Sequence, residues 1–200
     1  MADFAMACEV LVRANQLAER KIYEFLTLSL DGTPVALSNG LQFAVDLPLS
    51  YSPRLDALLV FAGDISSDIN CDELARGINA QSTDKMPLAG IGCGSYWLAK
   101  AGFLSNRRST IHWQDINQFT EDFPDVIVSS NLFEIDQERM SCAGGAATLD
   151  FVLSLVSGQL GHEFTARLSE VFTMDDPGLT YGGAIIRQDL LDKLGMRPPR

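Results

Sequence analysis

Cys93 stands in the run Pro87-Leu88-Ala89-Gly90-Ile91-Gly92-Cys93-Gly94-Ser95, where a short apolar stretch breaks into glycines and a helix-like pattern follows at once. A tight strand-to-helix turn of this kind presents a nucleophile. His112 follows at the end of the next apolar stretch, Ser109-Thr110-Ile111-His112-Trp113. A helix N-terminus lowers a thiol pKa and a nearby imidazole can take its proton, so the two residues read as a nucleophile and its base. The alternative is that Cys93 is a small apolar filler behind the turn, the usual place of a free cysteine. The residue types leave both readings open. Cys142, ahead of Ala143-Gly144-Gly145, poses the same question.

Other residues carry weaker signals. Glu9 lies between apolar neighbours in the first helical stretch, where a carboxylate needs a partner or a raised pKa. Arg13, one turn on, offers a plain ion pair. Trp97 and Trp113 could cap a ligand or simply pack. Cys8 and Cys71 read as fillers. The chain has four widely spaced cysteines, no Cys-x-x-Cys pair and two histidines, so neither a zinc site nor a disulfide framework is expected.

The elements that must position these residues follow from periodicity. Residues 4–19 repeat apolar side chains at helical spacing (Phe4, Ala7, Cys8, Leu11, Ala14), and 22–30 alternate like a partly buried strand. Residues 55–63 and 86–92 are apolar runs of strand length ending in glycine, typical of parallel strands covered on both faces. Helices are expected at 71–82, 95–104, 114–124, 146–160 and 161–172, and strands at 109–113, 125–130 and 132–136. Strands alternating with helices predict an α/β layer sandwich with a mostly parallel sheet. Ligands of such sheets bind at the carboxyl ends of the strands. Gly63, Gly92 with Cys93, His112 and Cys142 would converge there, with helix N-terminal amides facing the crevice.

Two hundred residues suit one domain with a real core. A net charge of −11 disfavours direct contact with nucleic acid or anionic lipid. The N-terminus lacks the pattern of a signal peptide, and no apolar run approaches the ~20 residues of a membrane span. A cytoplasmic protein is expected. The tail, 174–200, is punctuated by glycine and proline and reads as a linker.

Taken together, "ACEVLVRANQL", "YEFLTLSLDGTPVALSNG", "LDALLVFAG", "GSYWLAKAGFLSNRRSTIHW", "FTEDFPDVIVSSNLFEIDQERMSCAGGAATLDFVLSLV" and "GHEFTARLSEVF" resemble the amino-terminal sensor domain of AraC-type transcription regulators. This is the subgroup whose sensor has the class I glutamine amidotransferase-like, or PfpI/ThiJ-like, fold. The resemblance implies a flavodoxin-like three-layer sandwich over residues 1–175 and a linker, 176–200, toward a helix-turn-helix pair that contacts DNA. It implies a homodimer, no cofactor, and a small-molecule effector such as arginine, carnitine or glycine betaine, held near Glu9, Gly63, Gly92, Cys93, His112 and Cys142. Catalytic relatives place their cysteine where this chain has Gly92, so the resemblance implies a non-catalytic domain. A cysteine-dependent hydrolase or glyoxalase-like enzyme is the competing expectation. His112 matches the superfamily's histidine and Glu9 its first-helix glutamate. Relatives also begin with an apolar strand that is lacking here, so further chain is expected before Met1 as well as after Arg200. Without that strand, its neighbours in the sheet would face each other across ~10 Å with unpaired backbone groups.

Overall fold

A computed structural model describes residues 2–66, 69–81 and 86–173; the linker-like tail lies outside these residues. The first helix, α1 (Ala2–Leu17), buries Ala7, Val10 and Ala14, the stripe that three-four spacing picks out. It begins at Ala2 rather than Phe4, which brings Asp3 into its first turn.

The next elements are short. β1 (Leu28–Ser29) and β4 (Leu47–Pro48) pair in parallel, while β2 (Val35–Ala36) and β3 (Gln42–Phe43) form a small antiparallel ribbon. The expected strand over 22–30 is therefore reduced to Leu28–Ser29. A strand exists only where a ladder partner takes its amides, and β1 finds one only in β4.

The layered body follows in order: β5 (Leu58–Ala62), α2 (Cys71–Gln81), β6 (Leu88–Gly92), α3 (Gly94–Lys100), β7 (Arg108–Ser109), α4 (Ile116–Asp122), β8 (Ile127–Val128), β9 (Phe133–Asp136), β10 (Arg139–Cys142), α5 (Ala147–Leu160) and α6 (His162–Thr173). The main sheet has the order β5-β6-β10-β9, with β9 alone antiparallel, and β7 pairs with β8 apart from it. The expected strand over 109–113 stops at Ser109, because Thr110 N–H bonds the Ser141 hydroxyl instead of a ladder carbonyl. Trp113–Asp115 then turn as a 3-10 helix.

The sheet's pleat divides the core in two. Leu59, Phe61, Ala89 and Ile91 face α1, α5 and α6, whereas Leu58, Val60, Ala62 and Leu88 face α2, α3 and α4. Trp97, Phe119 and Phe151 are the largest fully buried side chains, each contributing about 1.5–3 kcal/mol of burial. All of β6 is buried, but every residue of β5 is only half-buried, because β5 is the open edge of the main sheet. This is the flavodoxin-like three-layer α/β sandwich expected, with no strand ahead of α1 among the described residues.

Candidate functional site

The turn between β6 and α3 is built by glycine. Gly92 has φ +63°, and a Cβ there would lie 2.8 Å from the Ala62 carbonyl oxygen, so the position admits no side chain without displacement. That same carbonyl accepts the Cys93 N–H at 2.8 Å, which ties the turn to the end of β5. The left-handed residue of the turn is thus Gly92, whereas Cys93 has φ −79° and ψ 1° and opens α3.

Cys93 is 4% exposed, and its thiol donates to Asp115 Oδ2 at 3.4 Å. His112 Nδ1 lies 4.0 Å from the same oxygen, and its ring is tilted against Trp113 with centroids 5.7 Å apart. Asp115 therefore stands between thiol and imidazole. Burial, then the hydrogen bond to Asp115, then the charges of Asp115, Asp64 and Asp3 push the Cys93 thiol from 9.0 up to about 12. Each of these favours the neutral form.

Asp3 forms the floor on the other side. Its Oδ1 accepts the Gly145 N–H at 2.6 Å. A Cβ on Gly144 (φ +85°) would lie 3.0 Å from Asp3 Oδ2 and 3.2 Å from Gly92 Cα, so the β6 and β10 turns meet around this one carboxylate. Asp64 follows Gly63 at the end of β5. Its side chain accepts from Ser66 N–H (2.7 Å) and Oγ–H (2.9 Å), which hold it below the usual carboxylate range. Its backbone carbonyl accepts from Trp97 Nε1–H at 3.2 Å.

The structure thus brings Gly92, Cys93 and His112 together, with Gly63 one residue beyond the Ala62 carbonyl that anchors the turn. Cys142 ends β10 beside Ile91 but is fully buried in the apolar layer under α1 and α5, where burial raises its pKa. Glu9 is not brought to the turn. It lies about 9 Å along α1 from Asp3 and roughly 240° round the helix, and it pairs with Arg13 Nε at 2.7 Å on the surface. The first-helix carboxylate at the turn is Asp3, which the sequence reading missed, as it missed Asp64 and Asp115. Asp64 stands just after β5 and Asp115 in the 3-10 turn that leads into α4, and neither carries a periodic signal. Trp97 packs at 2% exposure, while Trp113 is 71% exposed beside His112.

Chemically, this is a neutral thiol among three carboxylates. No lysine or arginine pairs with any of the three among the described residues. Such a site disfavours a thiolate and an anion, and favours a cation. No group of three metal-ligating side chains occurs among the described residues. An open depression of about 470 Å3, lined by Ile69, Asn70, Cys71, Asp72 and Lys100, shares none of the turn's residues. No helix among the described residues is long and apolar enough to cross a membrane.

The chain is similar to known regulators. It is 36% identical over 172 residues to the HTH-type transcriptional regulator GbdR of Pseudomonas aeruginosa, covering 86% of this chain and 47% of that protein. It is likewise 36% identical over 171 residues to the HTH-type transcriptional regulator CdhR of the same species, covering 86% and 51%. The chain spans about half the length of these curated relatives. Among solved structures, an AraC family transcriptional regulator from Pseudomonas putida superposes with a TM-score of 0.76 at 30% identity, covering 86% of this chain and 92% of that one. The DJ-1/PfpI family model matches residues 1–157: the chain belongs to the DJ-1/PfpI family.

Proposed function

We propose that this chain is the non-catalytic, ligand-sensing and dimerising domain of an AraC-type transcription regulator. Its effector is a small metabolite with a cationic head group, arginine or a quaternary amine such as carnitine or glycine betaine. It binds at the carboxyl end of the sheet, against Gly63, Gly92, Cys93 and His112. Contact with DNA belongs to a carboxy-terminal domain beyond this chain, in keeping with the net charge of −11.

The observation that carries this reading is the gathering of carboxylates at the turn: Asp115 Oδ2 lies 3.4 Å from the Cys93 thiol, Asp3 lies between Gly92 and Gly144, and Asp64 follows the end of β5. These carboxylates suit a positive group, and the exposed face of Trp113 offers a cation–π surface beside His112. The names of the relatives, transcriptional regulators, support it independently. Calorimetric titration of the chain with arginine, carnitine and glycine betaine tests it. One of the three should bind with a micromolar Kd that weakens as salt rises, and no binding across the panel sinks the cationic effector.

One observation favours the enzyme reading: cysteine, carboxylate and histidine do form a chain through Asp115. Their order opposes it. A base must contact the nucleophile it deprotonates, and here a carboxylate occupies that place.

A further inference from the structure

We propose that Asp3 is a latch that couples the floor of this site to α6, the helix that leads out of the described fold. The proposal rests on the reading above only for the cation that would engage the latch; the coupling is a property of the chain itself. Asp3 Oδ1 is committed to the Gly145 N–H, but Oδ2 faces the gap between Gly92 and Gly144 and has no basic partner among the described residues. The carboxylate therefore has one oxygen bound to the glycine turn ahead of α5 and one between Gly92 and Gly144.

Asp3 also belongs to the first turn of a 16-residue helix. Beyond it, Ala7, Val10 and Ala14 are buried in one cluster with Phe151 and Val152 of α5 and Leu168 of α6. Phe4 is wedged edge-on against Phe43 at 5.0 Å and Phe61 at 5.6 Å, so the first turn is gripped at its side. A close-packed helix moves as a unit, because its buried side chains cannot shift singly without opening voids. A cation drawn to Oδ2 pulls Asp3 from Gly145, and α1 carries that displacement along its buried stripe to α6. The opposite layer, with α2, shares no buried residue with this cluster and stays out of the path.

Hydrogen exchange on the whole chain, without ligand, tests the coupling. Asp3→Ala removes the acceptor for Gly145, whereas Asp3→Asn keeps one. Amides of α1 and α6 are expected to exchange roughly fivefold or more faster in Asp3→Ala, with α2 unchanged and Asp3→Asn close to the parent. Unchanged α6 protection in Asp3→Ala overturns the latch. So does an equal rise in α2 and α6, which would mark global destabilisation. Because no ligand is present, a failed titration panel removes the cationic effector and leaves this result standing.

Discussion

Cys93 and Cys142 lie at the ends of adjacent parallel strands, and each leads through glycines into a helix; the two turns share Asp3, yet the two thiols point into different surroundings. Cys142 is enclosed by the apolar layer under α1 and α5. Cys93 is nearly as buried, but its turn faces Asp115, Asp64 and Asp3. Both thiols are pushed up mainly by burial; at Cys142 hydrogen bonds with Gly144 and Thr148 oppose the rise, whereas at Cys93 the hydrogen bond to Asp115 adds to it. The difference teaches that a glycine–cysteine turn fixes a shape but not a chemistry. What the neighbouring loops and α1 bring to it decides between a core thiol, a nucleophile and a cation site.

The sharpest way to break the comparison is through the glycines. Gly92→Val adds side-chain atoms against the Ala62 carbonyl at a positive φ and should cost about 3 kcal/mol or more in chemical denaturation. Gly145→Ala, also at positive φ but with open space around its Cβ, should cost only about 1 kcal/mol. Equal costs would mean that the β6 turn is no tighter than the other. Serine substitutions rank next. Cys142→Ser places a hydroxyl in an apolar cluster and should cost about 1–3 kcal/mol. Cys93→Ser can still donate to Asp115 and should cost under ~1 kcal/mol.

Charge gives the smaller effects. Asp115→Asn removes the hydrogen-bonded carboxylate while leaving burial in place, so the Cys93 pKa should fall. A drop of one unit speeds alkylation at pH 8 about tenfold. The parent chain should also lose stability in alkali. The folded thiol titrates at about 12 against an ordinary 9.0, so the folded state retains a proton that the unfolded state releases. That contribution is complete below pH 9 and is lost as pH rises from 9 toward 12. Cys93→Ala should flatten this slope slightly, measured as denaturation midpoints at pH 8.5 and 10.

Much of the fold was legible. From Leu58 onward the runs 55–63 and 86–92 became β5 and β6 and each helical pattern became a helix, because both periods report burial directly; 109–113 kept only Ser109 in a strand, and β10 (Arg139–Cys142) was not expected as one. Residues 22–30 misled, since Tyr23 and Phe25 alternate properly but a strand also needs a ladder partner, which composition does not reveal. The glycine turn was legible from its residue types. Asp3 was missed because starting α1 at Phe4 left it outside the helix, whereas Glu9, chosen through the resemblance, lies on the outer face of α1 with Arg13. Asp64 and Asp115 carry no periodic signal, so only the folding of the segments after β5 and β7 toward one end of the sheet brings them near Cys93.

Competitive labelling of all four cysteines with iodoacetamide at pH 7, read by mass spectrometry, tests most directly whether this turn is a sensing floor and not a nucleophile. The account places Cys93 among the slow thiols, behind half-buried Cys8 and Cys71. If Cys93 instead reacts far faster than both, its thiol is activated, and the non-catalytic reading is wrong.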